Sequence, residues 1–329
     1  MLIWSIEQKE LNLIYSWKIS RSESSSKTNF FIHVSDGDFS AIGEVAPNIR
    51  YGENPEKVRE QFAQFLSYSN QINTLEDLIK VIDNLNIINS LSFGIESAYV
   101  HLQAKKNNIP VYQQLGLPKP NSLDTTYTLP IMEVSKVKDF INRYNLLRFS
   151  SLKIKINQDN GYDLIEEVRK ISNIPLKIDA NEAWQDVEAF LKFSYQLKGQ
   201  NIDFFEQPLP SNLVEEYIYL KKLSPFELIA DESVTNSTDF EMIAKQFHGV
   251  NMKLMKAGGY LKGISIIQES RKQGLKTMIG CMVETTLGIF SAINLCNDLN
   301  YIDLDGFFLI ENEPFKLVTE EKGRLNIVT

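Results

Sequence analysis

Cysteine and histidine are scarce in this 329-residue chain: two of the first, Cys281 and Cys296, and three of the second, His33, His101 and His248. Two thiols build no disulfide framework and show no metal-ligand spacing. Both lie in apolar stretches and read as buried groups. Basic residues are outnumbered, 34 Lys and Arg against 42 Asp and Glu. That surface repels nucleic acid and anionic membranes, so neither is an expected partner. No run approaches the ~18 apolar residues of a membrane span. The N-terminal stretch carries early acids and no continuous apolar core, which speaks against a signal peptide and for a cytoplasmic protein. Neither a GxGxxG motif nor a phosphate loop occurs, and Gly258-Gly259 reads as a tight turn. The 43% hydrophobic and 23% charged residues are those of a soluble globular protein, longer than one typical domain.

What is present changes character along the chain. Residues 1–46 read as strands, Leu2–Lys9, Leu11–Ile19 and Thr28–Ser35, with Phe39–Val45 completing a hairpin. Helical spacing follows from Asn54 to about Gly116. Strands followed by helices predict a small α+β domain over 1–120. After the linker Pro118-Lys-Pro-Asn-Ser the pattern alternates strictly. Strands at 125–130, 151–156, 176–179, 202–206, 227–231, 250–255, 276–280 and 303–309 are separated by helical segments. The expectation is a modified TIM barrel, (β/α)7β, over 121–312, with a tail, 313–329, returning to the first domain.

Polar residues close these strands at an even rhythm: Lys155, Asp179, Glu206, Asp231 and Lys256, at intervals of 24, 27, 25 and 25, with a further 25 to Cys281. In a parallel barrel every strand end points at one mouth. Asp179, Glu206 and Asp231 end consecutive strands, so their carboxylates converge. They repel one another unless a cation joins them, and three oxygen ligands with open positions suit Mg²⁺. Any one of these acids could instead cap the following helix; three together favour a metal. Lys153 and Lys155 share one face of their strand, opposite Leu152, Ile154 and Ile156. Two inward ammonium groups should lower the pKa of at least one, making a base. Lys256, across the barrel, is expected as a second base on the opposite face of a substrate carbon.

Together Lys153-Ile-Lys155, Asp179-Ala-Asn181, Phe205-Glu206-Gln-Pro208, Ala230-Asp231-Glu232-Ser233 and Lys253-Leu-Met-Lys256 resemble the enolase superfamily. They fit its muconate-lactonizing-enzyme subgroup over most of the chain, the 1–120 region being its capping domain. Enolase-superfamily sites are themselves a known example of a Lys or His base working with Mg²⁺. The resemblance implies one Mg²⁺ per subunit, proton abstraction beside a carboxylate, an enediolate stabilised by metal and lysine charge, and a homo-oligomer. No histidine ends a barrel strand where the mandelate-racemase subgroup would have one.

Asp303-Leu-Asp305 closes the eighth strand and resembles the DxD motif that holds the α-ammonium group in dipeptide epimerases of this subgroup. Ile279-Gly-Cys281-Met-Val-Glu284-Thr resembles their seventh-strand loop, which sets Cys281 against the substrate. Thr128 resembles a residue that hydrogen-bonds the dipeptide. Arg21, in the polar stretch Ser20–Lys27 read as a loop over the barrel mouth, is the expected partner of a side-chain carboxylate. Asn181 and Glu232 are expected behind the ligands, Glu232 beside Lys256. The implied activity is epimerisation of the C-terminal residue X of an L-Ala-X dipeptide, X being Glu. The alternatives are an o-succinylbenzoate synthase or N-acylamino-acid racemase, for which Asp303 and Asp305 have no purpose, and a non-catalytic binding protein on the same barrel.

Overall fold

Alternating apolar residues draw the first 45 residues into an antiparallel sheet in the computed structural model, which describes residues 1–20, 22–121 and 123–328. The strands are β1 (Ile3–Ile19), β2 (Ser22–Ser35) and β3 (Ser40–Val45), in that order. Two expectations are corrected here. The first two strands expected from sequence are one continuous strand, its register with β2 shifting between Asn12 and Trp17. The serine-rich 20s stretch is not a loop: from Ser22 it pairs with β1, because small polar residues satisfy a ladder even where composition suggests coil. Arg21 lies outside the described residues.

The sheet packs on helices α1 (Pro55–Leu66), α2 (Leu75–Asn84) and α3 (Asn89–Asn107), followed by the single turn α4 (Val111–Gln114). Asn54 caps α1 ahead of Pro55, and Thr74 with Asp77 forms a reciprocal cap on α2. Phe30, Ile32, Phe65, Leu78 and Ile95 are fully buried in the resulting core.

Eight parallel strands follow: β4 (Tyr127–Leu129), β5 (Leu152–Lys155), β6 (Leu176–Asp179), β7 (Ile202–Glu206), β8 (Glu227–Ala230), β9 (Gly249–Met252), β10 (Lys276–Gly280) and β11 (Tyr301–Asp303). Between them lie α5 (Val137–Arg143), α6 (Gly161–Ile171), α7 (Val187–Gln196), α8 (Val214–Leu223), α9 (Phe240–Gln246), α10 (Leu254–Ala257), α11 (Tyr260–Lys272) and α12 (Thr286–Ile293). This is the expected (β/α)7β barrel. Outward residues such as Leu152, Ile154 and Ile178 pack on helices, while Phe204, Ile229 and Met278 fill the barrel floor. Side chains stitch the seam between β11 and β4: Thr126 donates to Asp303 (2.8 Å), the Leu304 amide to Thr125 (2.9 Å) and the Thr128 amide to Asp305 (2.7 Å). The tail touches both layers. Phe315 meets Phe31 edge-on, and the hairpin β12 (Val318–Glu321) with β13 (Arg324–Ile327) buries Val318 and Leu325 in the barrel core.

Two carboxylates dock the first layer onto the barrel. Glu44 of β3 accepts from the Thr285 amide, the Thr285 hydroxyl and the Gly288 amide, at the N-terminus of α12. Glu96 of α3 accepts from the Leu261 amide (3.0 Å) at the start of α11. Both meet the positive end of a helix dipole. Gly259 makes the second contact possible: a Cβ there would sit 1.6 Å from Glu96 Oε2, and its φ of +151° suits glycine. His101 adds a third tie, Nδ1 donating to the Ile42 carbonyl (2.9 Å) and Nε2 accepting from the Tyr260 hydroxyl (2.8 Å). Burial pushes its pKa down to about 4, so the ring is neutral. Among the described residues, no helix is long and apolar enough to cross a membrane.

Candidate active site

Period-two alternation in β5 sends Leu152 and Ile154 outward and Lys153 and Lys155 into the barrel mouth. Lys153 is buried and meets three carboxylates: Asp179 (2.9 Å), Glu206 (2.8 Å) and Asp303 (2.8 Å). Burial opposes its charge, but Asp179, Asp303 and Glu206 outweigh burial and hold its pKa well above the usual lysine value. The expected lowering by a lysine neighbour is therefore not what happens at Lys153. Lys155 pairs with Asp179 (2.7 Å), reaches Asn181 Oδ1 (2.9 Å) and lies over the Trp17 ring.

Asp179, Glu206 and Asp231 are buried at the ends of β6 and β7 and just past β8. Burial and the Asp179 charge push Glu206 up to about 7. Asp179 sits low: burial resists its ionisation, but Lys153 and Lys155 prevail. Asp231 is likewise held well down by Lys253 and Lys256 against burial. Glu206 Oε1 also accepts from Asn251 (2.9 Å). The donor set is right for a hard divalent cation: three buried carboxylates whose charges act on one another. Their oxygens are turned onto lysine ammonium groups, and among the described residues no group of three or more His, Cys, Asp or Glu is arranged as a ready metal cage.

The sixth strand end needs a correction. Lys256 was expected to close a strand, but β9 stops at Met252 and the chain turns at once into α10. Lys253 therefore closes the strand, pairs with Asp231 (2.9 Å) and stands on the wall of the central cavity. Lys256, one helical turn later, is buried behind it, donating to the Asp231 carboxylate and carbonyl and to the Asn251 carbonyl. Sequence reasoning named Lys253 only within the Lys253-Leu-Met-Lys256 motif because it carried the strand to residue 255; the signal was the first lysine after Met252.

The cavity encloses about 320 Å³ between hairpin β1–β2 and the barrel mouth. Lys153, Lys155, Asp231, Glu232, Asp303 and Asp305 line it, as do Thr128, Asn181 and Cys281. Asp305 begins a turn after β11 instead of extending the strand. Burial and the adjacent Asp303 raise its carboxyl to about 6. The Cys281 sulfur accepts from the Gly306 amide (3.3 Å), and burial with nearby Asp305 pushes its thiol well up, leaving it un-ionised. Asn181 donates its amide to Asp179 (3.0 Å) and its side chain to Glu232 (3.3 Å). Asn181 and Glu182 both have positive φ, 42° and 63°, a strained loop of the kind that clusters at functional sites.

Two cavity residues carry no sequence motif. Arg50 grips Glu182 with two nitrogens (2.9 and 2.8 Å), closing the first layer onto the barrel rim. Lys27, on β2, stands half-buried on the roof with Trp17 and Ile19.

Comparison with known proteins gives a match over residues 136–314 to the family described as enolase C-terminal domain-like. The L-Ala-D/L-Glu epimerase of Bacteroides thetaiotaomicron is 30% identical over 77% of this chain and 66% of that protein. A hydrophobic dipeptide epimerase of a Flavobacteria bacterium is 30% identical over 90% of this chain and 87% of its own length. A dipeptide epimerase from Enterococcus faecalis, solved with Mg and L-Leu-L-Tyr, superposes with a TM-score of 0.88 at 25% identity, covering 99% of this chain and 96% of that one.

Proposed function

This chain belongs to the enolase C-terminal domain-like family, and from that premise we propose that it is a Mg²⁺-dependent dipeptide epimerase. It inverts the C-terminal residue X of L-Ala-X dipeptides, with X being Glu. The epimerase relatives and the Mg- and dipeptide-bound neighbour support the reaction class, and the first of them supports Glu. The observation that carries the reading is a pair of lysines lining one cavity from strand ends four apart in the barrel, Lys155 and Lys253, each ion-paired to a different acid of the cluster, Asp179 and Asp231.

Asp179, Glu206 and Asp231 would hold the Mg²⁺. Bound there, the ion supplies positive charge beside the substrate α-carboxylate. Lys155 takes the α-proton of one epimer, leaving the carbanion as a planar enediolate, and Lys253 returns a proton from the other face. The roles exchange for the other epimer. Lys253 replaces Lys256, the base expected from sequence, because it is the lysine on the cavity wall. Lys153, committed to three carboxylates, stabilises the anionic intermediate. Lys253 is also held above the usual lysine value, burial opposing its charge but Asp231 and Glu206 prevailing, so it enters the reaction as the proton donor. Asp305, with Asp303 behind it, accepts the α-ammonium group of the dipeptide, and Thr128 and Cys281 border it. The β1–β2 hairpin shields the reacting carbon from water.

Proton NMR in D₂O with Mg²⁺ tests this. L-Ala-L-Glu should lose its C-terminal α-proton signal and yield the L-D epimer. Retention of that proton across a panel of L-Ala dipeptides would sink the assignment.

A further inference from the structure

Most charges on the cavity wall are already matched. Lys153, Lys155 and Lys253 are paired to acids, and Arg50 is paired to Glu182. Lys27 differs. It is half-buried on β2, fixed opposite Leu11 by the hairpin ladder, with Trp17 and Ile19 beside it on the roof. Among the described residues, no carboxylate pairs with its ammonium and no acceptor hydrogen-bonds it. Burial alone acts on the group, pushing its pKa down. Asp305 is its opposite: it receives the Thr128 amide (2.7 Å), and among the described residues no side-chain cation is in ion-pair contact with it.

A partly desolvated cation without a counter-ion costs folding energy, and a ligand that brings an anion relieves that cost. Among the described residues, the cavity thus holds an unmatched positive group on the roof, Lys27, and a carboxylate without an ion-pair partner on the barrel, Asp305. A dipeptide ammonium answers Asp305. The substrate α-carboxylate belongs with the lysines and acids at the reacting centre, so the anion that answers Lys27 is a second one.

We propose that Lys27 is a specificity residue that receives a carboxylate on the side chain of X, so that the substrate class is L-Ala dipeptides with an acidic C-terminal residue. This rests on the epimerase reading above. It assigns the acid partner to a described residue of the hairpin, distinct from Arg21.

The test compares wild type, Lys27→Met and Lys27→Arg on L-Ala-L-Glu and its neutral isostere L-Ala-L-Gln, by α-proton exchange with Mg²⁺. Wild type should favour Glu over Gln in kcat/KM by about 10–100-fold, the range for a charge-assisted contact at a partly buried site. In Lys27→Met that ratio should fall toward one, mainly through a higher KM for L-Ala-L-Glu, with L-Ala-L-Gln still exchanged. Lys27→Arg should restore it. The ratio is taken within one protein sample, so partial loss of folded enzyme cancels. An unchanged ratio in Lys27→Met overturns the Lys27 assignment and leaves the epimerase standing. Absence of exchange with every dipeptide, wild type included, overturns both.

Discussion

Lys153 and Asp303 stand 2.8 Å apart across the barrel seam, so an acid expected to await the substrate is already committed to a buried lysine. Asp303 also accepts from Thr126 (2.8 Å). Asp305 has no such lysine partner among the described residues and is the freer of the two. Asp305→Asn should therefore raise KM for the dipeptide about 10-fold or more at near wild-type Tm. Asp303→Asn should also lower stability, by about 1–3 kcal/mol, as Lys153 loses one of its counter-ions. Thermal denaturation alongside steady-state kinetics separates the two. Equal Tm losses, or none in either variant, would contradict this division of labour.

Asp305 also sets a pH dependence. Burial and Asp303 raise its carboxyl to about 6, so it loses its negative charge as pH falls through that value. KM for the dipeptide should then rise below about pH 6, while Asp305→Asn should lack this limb. A KM profile flat from pH 5 to 8 in wild type would exclude the ammonium contact.

The two faces of the reacting carbon can be told apart. Lys253→Ala should abolish interconversion of epimers yet leave α-proton exchange for the epimer that presents its proton to Lys155. Lys155→Ala should show the converse preference. Lys256→Ala, removing a group behind Asp231, should slow both epimers alike. Deuterium incorporation into separate L-L and L-D dipeptides is the readout, and equal loss for both epimers in Lys253→Ala would refute its role as a base.

Chelation should separate chemistry from folding. Lys153, Lys155, Lys253 and Lys256 already neutralise the acid cluster, so EDTA should stop exchange while the circular dichroism spectrum stays native. Added Mg²⁺ should raise Tm with the logarithm of its concentration once that exceeds Kd. Unfolding on chelation would mean that the lysines do not balance these acids.

Glu96 gives a stability test remote from the chemistry. Burial raises its carboxyl to about 7. An acid whose folded pKa exceeds its unfolded value, near 4.5, binds more protons in the native state between those limits. Its contribution is therefore most favourable below about pH 4.5 and is lost as pH rises to about 7. Glu96→Gln keeps an acceptor for the Leu261 amide without the buried charge. The variant should gain on wild type by roughly 2–3 kcal/mol between pH 5 and 8, the linkage value of such a shift. Urea denaturation at both pH values measures it, and a constant difference would disprove the ionisation.

The barrel was legible because each of its strands is a short apolar run stopped by a polar residue, a local signal repeated through the chain. Lys153, Lys155, Asp179, Glu206 and Asp231 stood out for that reason. Lys253 and Lys256 were misjudged because the expected strand ran on to residue 255, whereas the backbone passes from strand to helix at Lys253, a change within four residues that periodicity cannot find. The serine-rich hairpin was read as loop because serine favours turns, although pairing with β1 overrides that preference. Glu44 and Glu96 were invisible: the Thr285, Gly288 and Leu261 amides that they take lie more than 150 residues away and have no signature in a sequence.

Those two docked carboxylates bear on how such enzymes could exchange parts. The N-terminal layer supplies the charges and the barrel supplies the amides they satisfy, so each half alone would leave buried polar groups unanswered. The two should melt together in one cooperative transition, and native-state hydrogen exchange should protect the Leu261 and Gly288 amides as strongly as the barrel strands. Transplanting the whole layer from a relative would break that joint. A new substrate preference is better sought by changing the cavity-facing residues of one hairpin.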